Sequence, residues 1–157
     1  MKRKIVGSFL AACSTVALAT PYGLMFDLSS EKRVSFFDVE SVIKKNGKVL
    51  VWVKEIRKDV EDLGIKSTMS RISVDCPNRT AQTLSINFYG LDRTLLHSTS
   101  GPQKVLDVIP GTNGATMLKI FCAPSFPAKT KDIGMADDPY GGAEIYFEVL
   151  AGNDRSK

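Results

Sequence analysis

The stretch from Arg71 to Tyr89 constrains the fold more than any other, because it reads as a whole β-hairpin carrying a cysteine on its apolar side. Ile72, Val74 and Cys76 put apolar side chains on every second residue, and Leu84, Ile86 and Phe88 resume that period after the turn at Pro77, Asn78 and Arg79. A period of two lays each set on one face of a pleated ribbon. Two strands alone are marginal in water, so that face requires a cover. Cys76 then faces the core, while Arg71, Ser73, Asp75, Thr83, Ser85 and Asn87 make the outer side.

The N-terminus decides how many of the three cysteines remain. Lys2-Arg3-Lys4 is a basic start, Ile5 to Val16 is mostly apolar, and Ala17-Leu18-Ala19 gives the small-x-small pattern of a cleaved signal peptide over residues 1–19. Leu10-Ala11-Ala12-Cys13 also fits a lipobox, in which Cys13 would carry a lipid anchor. Only about eight apolar residues precede Cys13, short for a signal core, so cleavage before Thr20 is the favoured route. The run falls short of the ~20 apolar residues of a membrane span. Either route removes Cys13 as a free thiol and leaves Cys76 with Cys122, as a disulfide or as two buried thiols. A bridge closing a loop of roughly 46 residues contributes on the order of 4 kcal/mol.

Loss of Lys2, Arg3 and Lys4 lowers the formal net charge by three, from +4 to +1. The electrostatic case for nucleic acid or an anionic membrane goes with it. With 43% hydrophobic and 24% charged residues, the chain has the composition of a globular protein, not of a disordered or fibrous one.

Residues 20–33 read as a tether contributing little to the core. Val34 to Val39 is β-rich, Glu40 to Ile43 reads as a short helical turn, and Asn46-Gly47 as a hairpin turn, since both residues tolerate positive φ. Val49 to Val53 is apolar at both parities, the pattern of a central strand covered on both faces, with Trp52 as a core or sheet-surface aromatic. Residues 57–66 mix both charge signs in a solvated connection. Arg93 to Ser98 and Lys104 to Val108 add strands. Thr112 or Asn113 offers a cap for a helix through Ala115, Leu118 and Cys122, which would lay Cys122 against Cys76. Residues 124–157 form an extension, where the alternation of Ile145, Phe147 and Val149 predicts an added strand. The sum is an α+β domain over residues 34–123, a single antiparallel sheet of about five to six strands packed by a C-terminal helix, with one disulfide.

No residues assemble into a catalytic motif. His97 is the sole histidine, in a strand with neither nucleophile nor orienting group at a telling spacing. Asp137-Asp138 and Glu144 lack the spacing of a metal site. Asn78-Arg79-Thr80 matches a glycosylation sequon, which matters only in a eukaryotic secretory pathway. The expectation is a non-enzyme with no cofactor and no metal.

Several motifs in order resemble the bacterial surface-adhesin protein E family: Phe36-Phe37-Asp38-Val39-Glu40-Ser41-Val42, Val51-Trp52-Val53, Val74-Asp75-Cys76, Ile86-Asn87-Phe88-Tyr89, Ile109-Pro110-Gly111-Thr112 and Ile120-Phe121-Cys122-Ala123. The resemblance implies one antiparallel sheet packed by a helix, with Cys76 bridged to Cys122. It also implies an exported protein of a Gram-negative periplasm or cell surface, with or without an outer-membrane lipid anchor. A protein partner follows, either an envelope component or the host extracellular matrix, as does pairing into a homodimer. By the same resemblance, Lys66, Arg71 and Arg79 stand where the family's basic partner-binding surface lies. Mass spectrometry of the protein from its native envelope is expected to find a chain beginning at Thr20; a lipid-modified Cys13 at the N-terminus would establish the other route.

Overall fold

The computed structural model describes residues 22–25, 30–60, 62–126 and 135–154. Expectations for residues 1–19, including Cys13, lie outside them. The strands are β1 (Tyr22–Leu24), β2 (Arg33–Asp38), β3 (Ile43–Lys45), β4 (Lys48–Arg57), β5 (Ser67–Asp75), β6 (Thr80–Tyr89), β7 (Leu95–Ser100), β8 (Leu106–Asp107) and β9 (Met135–Ala136), with helices α1 (Asn113–Phe121) and α2 (Pro139–Asp154). All nine strands join one antiparallel sheet in the order β7-β6-β5-β4-β2-β1-β9. β3 shares one edge of β4 with β2, and β8 shares the outer edge of β6 with β7. The five longer strands, β2, β4, β5, β6 and β7, answer to the expected five to six; the other four have two or three residues each.

β4 lies between β2 and β5, as its double-sided apolar run requires. Val49, Val51 and Val53 point to one face, joined by Phe37, Ile72 and Val74, and α1 covers them with Leu118 and Phe121. Phe37, Phe121 and Phe126 pack in edge and tilted contacts with centroids 5.1–5.9 Å apart. Aromatic pairs in such geometry add about 0.5–1.5 kcal/mol beyond their buried area. The opposite face holds a second cluster of Val34, Phe36, Ile56 and Ala143, covered by α2. β2 feeds both, since Phe36 and Phe37 are adjacent and both fully buried.

The hairpin forms as read, with Asp75 opposite Thr80 across a turn of residues 76–79. A register shift beside Arg71 and Ile72 leaves Leu84 out of the pairing and sets Thr83 opposite Ile72. Thr83 therefore belongs to the α1 side and not to the expected outer side. Cys76 and Cys122 are bonded, with Cα atoms 5.7 Å apart, within the usual span of a disulfide. Asn46 and Gly47 both take positive φ, 51° and 75°, in the β3–β4 turn.

Four readings are corrected. The tether reading fails at Tyr22–Leu24, which pairs with β2, and at Met25, only 2% exposed in the core; a Cβ on Gly23 would come within 2.5 Å of the Phe37 ring, so glycine admits the close approach. Glu40–Ile43 makes a turn leading into β3, because Asp38 Oδ1 accepts the Glu40 and Ser41 N–H groups. Thr112 precedes α1 but its hydroxyl donates to the Ile109 carbonyl, 2.7 Å away, in place of capping. The strand expected at Ala143–Leu150 is part of α2. Asp138 accepts the Tyr140 and Gly141 N–H groups and Pro139 follows as the first helical residue, a start signal that outweighs a short alternation. The tail does add a strand, but it is β9, paired with β1.

A chain with both Cys76→Ser and Cys122→Ser is expected to lose on the order of 4 kcal/mol of unfolding free energy in urea titrations, the loop-closure contribution of the bridge. Unchanged stability would show that packing alone holds α1 in place.

Candidate binding surfaces

The sheet exceeds what its helices cover, and each face has an open half. On the side away from α1, cross-strand rows run Trp52–Arg71–Ser85–Ser100, Lys54–Met69–Asn87–Ser98 and Leu50–Ser73–Gln82. Arg71 is exposed and its guanidinium carbon lies 5.9 Å from the ring centre of half-buried Trp52. The Lys54 ammonium lies 4.5 Å from the Tyr140 ring centre and 5.2 Å from that of Tyr89, and Arg93 lies 4.1 Å from Tyr140. Tyr140 is fixed there by a 2.8 Å hydrogen bond between its hydroxyl and Ser67 Oγ. The neighbouring Tyr22 phenol is pushed up from its ordinary pKa, first by burial and then by the Asp38 charge.

Of the three cations expected to form a basic surface, only Arg71 joins this cluster. Lys66 precedes β5 and its ammonium donates to the Lys58 carbonyl at 2.6 Å. Arg79 sits in the hairpin turn with φ 54°, exposed, at the other end of the strand. The nine residues of β5 separate the two by about 30 Å. Sequence proximity grouped residues that an extended strand draws apart. Lys54, Arg93 and Tyr140 escaped the sequence reading because they come from a strand, a turn and the tail, and no local pattern links them.

The second open region is the border formed by β7, β8 and their connections. Leu91, Leu95, Leu96, Val105, Leu106 and Ile109 are six of the eleven exposed large apolar residues among those described, and all fall between positions 91 and 109. β7 has no charged residue, and its outer edge faces solvent. His97 stacks on Phe88 there, ring centres 6.0 Å apart. Asp138 starts α2 and pairs with Arg93 at 3.7 Å. Among the described residues no cluster of His, Cys, Asp and Glu could hold a metal ion. No helix there is long and apolar enough to cross a membrane.

At the hairpin end Asp75 accepts the Asn78 side-chain and backbone N–H groups at 3.0 and 3.1 Å and meets Lys48 at 3.3 Å. The Asn78 bonds, then Lys48, hold its pKa below the ordinary value. A carboxyl so lowered on folding stabilises the hairpin above its unfolded pKa and loses that contribution as pH falls through the folded pKa. An NMR titration is expected to place the Asp75 midpoint below that of an unstructured aspartate and to find it restored towards that value in Asn78→Ala; coincident midpoints would refute the turn's role.

A family model described as surface-adhesin protein E matches residues 24–123 of the chain. That span runs from β1 through α1 and includes both cysteines of the disulfide. Neither the comparison with curated proteins nor that with solved structures gives a match.

Proposed function

Since this chain belongs to the surface-adhesin protein E family, we propose that it is an exported, non-catalytic binding protein that takes a protein partner on the β7–β8 border. The observation that carries this reading is the concentration of exposed apolar side chains between Leu91 and Ile109. Leu91, Leu95 and Leu96 gather at the Tyr89 end of this edge and Val105, Leu106 and Ile109 at its Thr80 end. Exposed leucines scattered singly are ordinary on a surface, but apolar groups clustered at the ends of one open edge mark it as an interaction site. β7 supplies unpaired backbone groups along an edge without lysine or proline, and past the bulge at Leu96 its regular stretch, His97 to Ser100, is open to a further strand. The disulfide fits an oxidising compartment. The partner is a component of the cell envelope; the family's description as an adhesin favours a second reading, a host matrix protein.

Surface plasmon resonance of the secreted chain against fractionated envelope proteins and against deglycosylated matrix proteins separates the two. Saturable binding is expected in one series, weakened at least about tenfold in the doubly substituted L95K/L96K chain, since charges on the edge oppose strand addition and remove apolar contact. Absence of binding in both series, or equal binding by the substituted chain, would refute the proposal. A concentration-dependent dimer dissolved by the same substitutions would identify a second copy as the occupant instead.

A further inference from the structure

The open sheet face on the side of α2 differs in chemistry from the apolar border. Its centre holds two cations, Lys54 and Arg71, at diagonal positions of adjacent strands, since Lys54 pairs with Met69 and Trp52 with Arg71. Diagonal neighbours in an antiparallel pair are about 7–8 Å apart. The other basic residues around this face have carboxylate partners, Lys48 with Asp75 and Arg93 with Asp138. Lys54 and Arg71 make no ion pair among the described residues, although each lies against an aromatic ring, Tyr89 and Tyr140 for the first and Trp52 for the second. Beyond them the rows continue into short hydroxyl and amide side chains, Ser73, Ser85, Asn87 and Ser98, the last donating to Asn87 Oδ1 at 2.8 Å.

Two uncompensated positive charges backed by aromatic rings, next to a floor of hydrogen-bonding groups, complement a ligand that has anionic groups at intervals and hydroxyls between them. We propose that this face binds an acidic polysaccharide, its carboxylate or sulfate groups on Lys54 and Arg71 and its hydroxyls on the serine and asparagine floor. An acidic peptide is the poorer fit. Peptides on sheets gain affinity from a free edge and side-chain pockets, whereas here the free edge belongs to β7 and the face is a row of small polar groups. The guanidinium forks to a carboxylate or sulfate with two parallel N–H bonds, and Trp52 holds its plane in place. Arg93, exposed and only loosely paired with Asp138, extends the line towards the β6–β7 turn and can trade its surface carboxylate for a ligand anion.

The proposal is separable from the protein-binding reading, because its cations lie on β4 and β5 and the two surfaces share only Ser98 of β7. Trp52 is the sole tryptophan of the chain, so its fluorescence reports occupancy of this face. Titration of the secreted chain with a short heparin oligosaccharide is expected to give a saturable fluorescence change and a calorimetric binding isotherm. Dextran, the neutral probe, should give neither. Arg71→Gln and Lys54→Gln should each weaken heparin binding about tenfold, the effect of losing one charge-assisted hydrogen bond. Trp52→Phe should weaken it less while leaving its salt dependence intact, since a ring remains and no charge is lost. The charge-neutral L95S/L96S chain should leave it unchanged, since it removes apolar surface from the edge and adds no charge. Lack of saturable heparin binding would overturn the proposal. So would equal affinity for poly-L-glutamate, which would assign the face to acidic peptides. Equal weakening by Lys66→Gln or Arg79→Gln would reduce the effect to overall charge and overturn it as well.

Discussion

The architecture depends on a mismatch of areas. β2 and β4 are apolar on both faces and must be covered on both, but only α1 and α2 do the covering. α1, with nine residues, is about 14 Å long, and α2, with 16, about 24 Å. Seven strands side by side span about 29 Å across the hydrogen-bonding direction, with β4 and β6 longer still along their axes. Each helix therefore settles over the central strands, where Phe37 and Val51 lie beneath one and Phe36 and Ile56 beneath the other. The wing of β6 and β7 is left with neither face sealed, and every residue of β6 is half-buried. Open surface is the price of a double-sided core with two short covers, and the candidate binding regions lie on that surface.

The disulfide acts on the smaller cover. α1 is too short to be stable as an isolated helix, and it has no side-chain cap at its start. Phe121 is fully buried one residue before Cys122, so the bridge anchors the end of the helix that also carries its best-packed side chain. Cys76 follows the last residue of β5, at the point where the hairpin turns. The link thus joins a helix with little intrinsic stability to the end of β5, a strand paired on both edges along all nine of its residues. Lys44 from the β3 hairpin adds to the same corner, with its ammonium on the Ala123 carbonyl at 3.1 Å and above the Phe126 ring.

Features set by short-range periodicity or by turn chemistry were legible in the sequence. The arms of the hairpin, the central place of Val49 to Val53, the Asn46-Gly47 turn and the cysteine pairing all follow from side-chain period, positive-φ tolerance or thiol count. Features that depend on long-range register were not. One shifted residue at Leu84 moved Thr83 from one face to the other, which no alternation of apolar residues announces. At Ala143 to Leu150 the strand period and the helix period compete over eight residues. Tyr140, Ala143, Tyr146 and Phe147 are the inward set at helical spacing, and Ile145 and Val149 remain exposed. The Asp138-Pro139 start signal decides for the helix, because Asp138 satisfies the Tyr140 and Gly141 N–H groups that a strand would leave to a partner. The basic surface was legible only in part, since Arg71 is positioned by its own strand while Lys54 and Tyr140 meet through the fold.

The division between family and tail runs through the candidate surfaces in an informative way. The matched span, residues 24–123, contains the whole β7–β8 border, and also Trp52, Lys54, Arg71 and Tyr89. It does not contain Tyr140, which completes the aromatic seat of Lys54 and stacks beneath Arg93. α2 and β9 therefore do two things for this chain: they cover Phe36 and Ile56, and they shape one rim of a charged face. A rim built by the tail can change without disturbing the sheet or the disulfide, because α2 touches the matched domain mainly at β2 and β4. The apolar border has no such freedom, since β7 and β8 are bound into the edge of β6 by backbone pairing. The border is thus tied to the architecture of the matched domain, whereas the chemistry of the charged face is open to tuning by the residues that follow it.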